Sequence, residues 1–363
     1  MSGIALVAIT KHGTELGKKL KAAIPEANLL VSEKFAASAP GAVVMKETVS
    51  KEIARWFHQY EEICFLISLG AVVRMIAPVL KDKHTDPGVV VVDDRGQFAI
   101  SVLSGHVGGA NAFCERIAKA LGAQAVVTTA SDVGKTIPVD ILGRELGWTT
   151  EGEENVTRVS ASVVNEEPIA FIQETGEARW WTRDVPLPKS IRVFPSWDGV
   201  DLAAFKSFLV VSDRVREQFP QAIQDRLVLY RPRSLVLGVG CDRGVPEEAL
   251  FEAVEVALKD AGLSRRAVRN VATIDIKENE PAINALCARM DWPLVTFTKD
   301  ELLETFSRVH VPNPSAVVKK YTGTPGVSEP SCLRSAGAER LLVEKRKFAA
   351  GITVAVARVV FPG

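Results

Sequence analysis

The sequence predicts an α/β protein with an N-terminal parallel-sheet α/β domain, a small α+β middle segment and a C-terminal α/β domain. Three observations predict it. Continuous apolar runs at residues 4–9, 63–67 and 89–92 alternate with helical patterns, and strands apolar on both faces belong in a parallel sheet covered by helices. The pattern restarts at Ser234, after a stretch of different texture between Trp148 and Tyr230. A chain of 363 residues also exceeds what one hydrophobic core usually serves, so domains are placed at 1–147, 148–231 and 232–363.

In chain order, the run at 4–9 passes through Thr10-Lys11-His12-Gly13 into a helix over 14–21, which is the opening of an α/β unit. Short strands follow at 29–31 and 42–45. A helix over 51–60 carries Ile53, Trp56, Phe57 and Tyr60 at helical spacing, which makes them core. After the strand at 63–67, Ser68-Leu69-Gly70-Ala71-Val72-Val73-Arg74 suits a helix N-terminus, with Arg74 a carboxylate clamp or a plain surface arginine. Residues 89–102 form a hairpin about the turn Asp94-Arg95-Gly96.

Three polar loops flank these strands. Lys83-His84-Thr85-Asp86-Pro87-Gly88 precedes the strand at 89–92. Ser104-Gly105-His106-Val107-Gly108-Gly109-Ala110-Asn111 joins the strand at 98–102 to a helix opening near Ala110. Its glycines let a backbone approach a ligand, and free amides at a helix start welcome negative charge; the same glycines also suit tight strand-to-helix packing. His106 within it can give or take a proton near neutral pH. Thr128-Thr129-Ala130-Ser131-Asp132 closes the strand at 125–127, and its place after a strand lets it converge with the glycine loop.

The middle segment opens on acidic residues 151–154, a helix over 155–164 and a strand at 169–172. Trp180 and Trp181 read as packing residues or as a stacking surface for a flat ligand, Pro186, Pro188 and Pro195 interrupt regular structure, and strands return at 208–211 and 227–230. Beyond Pro232, the run Gly238-Val239-Gly240-Cys241-Asp242-Arg243-Gly244 ends one residue too late for GxGxxG, so a dinucleotide site has weak support, although Arg243 can meet an anion. A helix from Pro246 to Asp260, strands at 271–276 and 294–297, and a helix over 281–290 follow. Thr298 and Glu301 form a capping box, Asn313-Pro314-Ser315 precedes a short helix, and residues 323–329 form a loop carrying Glu329. Strands at 341–344 and 352–359 close the chain, with Lys345, Arg346 and Lys347 in the turn between them.

Composition excludes several classes. Lys and Arg number 44, as do Asp and Glu, so nothing draws the chain to nucleic acid or to an acidic membrane surface. No run approaches the ~18 apolar residues of a membrane helix, and residues 1–13 lack a signal-peptide pattern. Five scattered cysteines without CxxC spacing read as buried free thiols of a cytoplasmic protein, and no His/Cys cluster suggests a protein-held metal.

Taken together, Leu69-Gly70-Ala71-Val72-Val73-Arg74, Asp82-Lys83-His84-Thr85-Asp86-Pro87-Gly88, Leu103 to Asn111 and Thr128 to Asp132 resemble the N-terminal domain of the cobalt-precorrin-5A hydrolase family, CbiG. Gly238 to Gly244 and Gly326-Val327-Ser328-Glu329-Pro330 resemble its C-terminal domain, with Asp242 standing where family members often carry arginine. The resemblance implies a step of anaerobic cobalamin biosynthesis. A δ-lactone formed by the ring A acetate of a cobalt macrocycle is opened, and the extruded ring carbon leaves with its methyl as acetaldehyde.

Under that resemblance His106 is the expected base, amides of residues 105–109 the oxyanion donors, and Asp86 or Glu329 the groups that manage the remaining protons. A substrate rimmed with carboxylates is expected to meet Arg74, Lys83 and Arg243, with Ser104, Gly105, Gly108, Gly109, Asn111, Thr128, Thr129 and Asp132 completing its binding surface. No cofactor of its own is expected, the cobalt arriving with the substrate, where His84 or His106 could touch it axially. Neighbouring pathway enzymes and a second copy of the chain are the expected protein partners. Two rivals remain from the sequence: a non-catalytic corrinoid carrier or scaffold, and a nucleotide-dependent enzyme.

Overall fold

The computed structural model describes residues 3–362, which divide after Ile141 into two compact units. In the first, the elements are β1 (Ile4–Ala8), α1 (Lys11–Ala23), β2 (Asn28–Val31), β3 (Val43–Val44), α2 (Val49–Gln59), β4 (Glu62–Phe65), α3 (Leu69–Ile76), β5 (Gly88–Val92), β6 (Phe98–Leu103), α4 (Ala110–Leu121), β7 (Gln124–Val126) and the single turn α5 (Ala130–Val133). They build a seven-stranded sheet in the order β3-β2-β1-β4-β5-β6-β7. Every residue of β1 and β5 is buried, as continuous apolar runs require. Alternate residues face opposite layers: Leu6 and Val90 meet Leu20, Phe113 and Ile117 of α1 and α4, whereas Val7 and Val91 meet Ile53, Trp56 and Val72 of α2 and α3.

One reversal decides where the site can form. Strands β1 to β5 pair in parallel, but β6 runs antiparallel to β5, with Val89 opposite Leu103, and β7 then runs parallel to β6. The C-terminal ends of β6 and β7 therefore lie at the sheet edge where β4 and β5 begin. That edge gathers residues 82–87, 104–109 and 128–132. By the same pairing, α3, which follows the C-terminal end of β4, opens at the opposite edge, so its Ser68 to Gly70 start does not join the glycine loop.

The second unit contains β8 (Thr149–Glu151), α6 (Glu153–Val164), β9 (Ile169–Gln173), β10 (Ile191–Phe194), β11 (Ser207–Val211) and β12 (Leu227–Arg231), then β13 (Leu235–Gly240), α7 (Glu247–Asp260), β14 (Val268–Ile274), α8 (Pro281–Met290), β15 (Leu294–Phe297), α9 (Lys299–Arg308), α10 (Ala316–Thr322), α11 (Ser328–Ala336), β16 (Leu341–Lys347) and β17 (Thr353–Arg358). The middle sheet, β10-β9-β11-β12-β8, is parallel except for β8, a regularity its proline-broken sequence hides. Trp180 stacks on Phe171 at 4.1 Å and the Trp181 indole donates to the Val185 carbonyl, so both tryptophans make packing contacts. The last sheet, β15-β14-β13-β17-β16, joins a parallel half to an antiparallel closing pair.

A buried ion pair links the middle sheet to the last one. Asp213, fully buried just past β11, receives Arg358 of β17 through Nε at 2.7 Å and Nη2 at 2.8 Å, and the Ser234 hydroxyl at 3.2 Å.

Two features differ from the sequence expectation. Residues 328–336 form α11, whereas the sequence reads as loop through Glu329; Ser328, Cys332 and Leu333 are buried against the sheet. A side chain at Gly238 would place its Cβ 1.7 Å from the Ser328 carbonyl oxygen, so this glycine exists to let α11 lie on β13. Lys345 to Lys347 sit inside β16 rather than in a turn, with Arg346 paired to Asp260 at 2.8 Å. All five cysteines are free thiols, four of them buried, and among the described residues no helix is long and apolar enough to cross a membrane.

Candidate functional site

The loop between β6 and α4 is shaped by its backbone. Ser104 takes φ +53°, a conformation unusual for a side chain, and its hydroxyl is buried without a hydrogen-bond partner among the described residues. The carbonyls of Ser104, Gly105 and His106 accept the amides of Ala110, Asn111 and Gly109 respectively, which closes the loop onto the start of α4. The Gly109 amide is thereby spent, which removes it from the oxyanion donors expected from 105–109. Gly108 and Gly88 pack backbone to backbone: a Cβ on Gly88 would lie 2.4 Å from the Gly108 carbonyl oxygen.

This fold of the loop presents the His106 ring to two carboxylates. Nδ1 lies 2.9 Å from Asp140 Oδ1, and Nε2 lies 3.1 Å from Asp132 Oδ2. The Ser131 hydroxyl is also 3.2 Å from Nε2. Asn111 holds the assembly together, donating to Asp132 at 2.7 Å and to Thr129 Oγ1 at 2.9 Å while accepting from Ser101 at 2.7 Å. The His106 side chain is 11% exposed, Asp132 27% and Asp140 19%, so the group is recessed but reachable.

The hydrogen bond to Asp140 raises the His106 pKa; burial opposes it, and the charges of Asp140 and Asp132 reinforce it. Burial pushes the Asp140 carboxyl up, but the His106 hydrogen bond and charge, with the nearby charge of Lys83, hold it below the usual carboxylate range. The free site therefore favours an imidazolium between two carboxylates. Once the ring gives up a proton, the bond to Asp140 retains the one on Nδ1, and Nε2 becomes the basic nitrogen.

The remaining expected residues fall into distinct places. Lys83 is exposed on a turn that Asp82 organises by accepting from the amides of His84 and Thr85. Asp86 is buried and gives both oxygens to the Lys81 amide, at 3.0 and 3.1 Å. Thr128 is exposed beside the group. Arg74 is exposed on α3, its guanidinium turned back toward Gly70. Glu329 and Arg243 belong to the second unit. Glu329 is 1% exposed and accepts from the Lys345 amide at 3.0 Å and from Asn313 Nδ2 at 2.8 Å. Arg243 is exposed on a loop anchored by Glu280, which takes the Gly244 amide at 2.8 Å and pairs with Lys277 at 2.9 Å. Among the described residues, no group of three or more His, Cys, Asp or Glu could hold a metal ion.

Sequence reasoning missed Asp140, Ser101 and Glu62, and named Ser131 only as part of its polar cluster, without a role. Asp140 follows Pro138 in a stretch without periodicity, and the small side chains carry no pattern of their own. Glu62 stands at the same sheet edge, its carboxyl 3.0 Å from where a Cβ on Gly109 would be, and burial raises its pKa to about 7. That value exceeds the 4.5 of a free glutamate, so between the two the folded chain binds a proton that the unfolded chain lacks. Stability contributed at this position falls as pH rises from about 4.5 to about 7. Glu62→Gln is expected to stabilise the protein by about 2 kcal/mol at pH 8, a figure reduced for partial wetting, and to do nothing at pH 4. Urea unfolding at both pH values measures the difference.

Family profiles cover most of the chain: a cobalamin synthesis G N-terminal domain over residues 51–132, a cobalamin biosynthesis central region over 137–232 and a cobalamin synthesis G C-terminus over 235–357. A protein from Priestia megaterium named cobalt-precorrin-5A hydrolase is 41% identical over 97% of this chain and 94% of its own length. The chain belongs to the CbiG family. Another protein of that name, from Salmonella typhimurium, is 31% identical over 98% of this chain and 97% of its own. Protein CobE of a Sinorhizobium species is 38% identical over 34% of this chain and 79% of its own. Within the CbiG chain, the N-terminal profile ends at Asp132, so His106, Asn111, Ser131 and Asp132 lie inside it and Asp140 lies inside the central one.

Proposed function

We propose that the chain is a cobalt-precorrin-5A hydrolase, opening the ring A δ-lactone of a cobalt-bearing macrocycle and releasing acetaldehyde by carbon–carbon cleavage. The observation that carries this reading is the His106 imidazole, fixed by Asp140 on one nitrogen and offered to Asp132 and Ser131 on the other. Lactone opening needs a base for the attacking hydroxyl and an acid for the departing oxygen, and one imidazole that cycles between forms supplies both. Asp86 and Glu329 have their carboxylates engaged by backbone amides, which favours Asp132 as the further proton carrier.

The glycine loop suits a large flat substrate, since it keeps side-chain bulk away from the recessed imidazole. Lys83, close enough to depress the pKa of Asp140, supports a role in meeting an acetate or propionate, and the exposed Thr128 one in hydrogen-bonding it, whereas both Asn111 Nδ2 hydrogens are already given to Thr129 and Asp132. The cobalt belongs to the substrate, and both His106 nitrogens are engaged in the free chain, which favours a proton role over axial ligation.

The test is anaerobic incubation of the purified chain with cobalt-precorrin-5A, following macrocycle mass and acetaldehyde together. Acetaldehyde in step with the opened product is the expected result. Stoichiometric binding with unchanged macrocycle mass would instead identify a carrier.

A further inference from the structure

We infer that Ser131 is the nucleophile of lactone opening, with His106 as its base and Asp140 as the group that orients the imidazole; the inference rests on the hydrolase reading above. Hydroxyl, imidazole and carboxylate stand in series, Ser131 Oγ at 3.2 Å from Nε2 and Asp140 Oδ1 at 2.9 Å from Nδ1. Three separate segments supply them: the turn after β7, the glycine loop, and the stretch after Pro138. A nucleophile bonded to a base that a third group holds is the arrangement that activates a serine.

Neighbouring hydroxyls are engaged differently. Ser101 donates to Asn111 and Thr129 accepts from it, whereas Ser131 alone of the three meets a titratable nitrogen. Asp132 shares Nε2 at 3.1 Å, but it also takes the Asn111 amide at 2.7 Å. In the imidazolium form Nε2–H donates to Asp132. In the neutral form a lone pair replaces that hydrogen, the carboxylate gains nothing from it, and the Ser131 hydroxyl is the group that can donate there. Ser131 is 7% exposed, at the floor of the site, while Ala130 and Val133 beside it are exposed, so the hydroxyl meets a carbonyl that is seated rather than one passing in solvent.

The chemistry balances without any co-reactant but water. Ser131 Oγ bonds to the lactone carbonyl carbon as Nε2 takes its proton. The acyl–oxygen bond then breaks, and the departing oxygen forms the aldehyde double bond as the adjoining carbon–carbon bond breaks. That electron pair passes into the conjugated macrocycle, which takes the proton held on Nε2. Acetaldehyde leaves, and the ring A acetate remains as an ester on Ser131. Water, deprotonated by Nε2, attacks the ester, restoring the Ser131 hydroxyl and yielding the free carboxylate.

The test is rapid mixing of the full chain with cobalt-precorrin-5A, acid quenching, and peptide mass mapping alongside acetaldehyde release. Expected are a macrocycle adduct on the Ser131 peptide and, in Ser131→Ala, loss of the adduct with acetaldehyde release slowed by about 100-fold or more. Ser131→Cys keeps a nucleophile and is expected to accumulate the adduct as a thioester. Acetaldehyde release by folded Ser131→Ala within a few-fold of wild type overturns the nucleophile while leaving the hydrolase intact. Should Ser131→Ala not fold, absence of a thioester on folded Ser131→Cys overturns it equally. No acetaldehyde from the wild type defeats the hydrolase reading, and the nucleophile with it.

Discussion

On the proposed hydrolase mechanism, His106→Ala is expected to lower acetaldehyde release by about 10²- to 10⁴-fold, the range set by losing a positioned proton carrier. The variant still folds, because the ring is a recessed surface group rather than part of either core layer. Circular dichroism alongside activity separates the two effects, and near-normal turnover would remove His106 from the mechanism. A companion variant, Asp140→Asn, reads the same device through pH. On the proposed mechanism the neutral ring is the active form, and Asp140 raises its pKa, so wild-type turnover is expected to climb with pH through a midpoint raised from the ordinary histidine value. Without the Asp140 charge that midpoint moves to lower pH, while the maximal rate falls because the ring loses its orientation. A midpoint that stays in place would mean another group controls the limb.

Asp213→Ala is expected to cost about 3 kcal/mol of stability, the low end for breaking a buried pair because Arg358 keeps some access to water. The lost carboxylate leaves Arg358 without its two-point partner and Ser234 without an acceptor. Burial pushes the Arg358 pKa down while its bonds and attraction to Asp213 raise it; with Asp213 gone the guanidinium still stays charged, because the ordinary arginine value lies far above neutrality. Urea unfolding followed by tryptophan fluorescence measures the loss. Arg158→Ala, which breaks an exposed pair with Asp225, is the control and is expected to change stability by under about 0.5 kcal/mol. Equal effects from the two variants would refute the assigned role of the buried pair.

Much of the fold was legible because burial on both faces writes a strand as an uninterrupted apolar run; β1, β5 and β13 are such runs, and each is wholly buried. The glycine loop and the Thr128 to Asp132 cluster were legible as a site because both follow strands, and they do converge on His106. Asp140 was not, since its position depends on how an aperiodic segment returns to the sheet edge, which no local spacing encodes. Helix α11 was hidden for a related reason. Its Gly, Pro and Ser residues read as a turn, yet burial against β13 gives the segment its helical hydrogen bonds and outweighs weak propensity. Arg74 was grouped with the glycine loop because a guanidinium suits a carboxylate-rimmed substrate, and the antiparallel step at β6 separates the start of α3 from that edge.

The buried thiols give the chain a set of internal clocks. Burial raises the pKa of Cys64 and Cys114 in the first unit, and of Cys287, to about 11, and Cys332 in the second. An alkylating reagent needs a solvated thiolate, so Cys64, Cys114 and Cys332, each 0% exposed, are labelled only when the surrounding structure opens. Labelling rates resolved by peptide therefore report how often each unit opens, without any introduced probe.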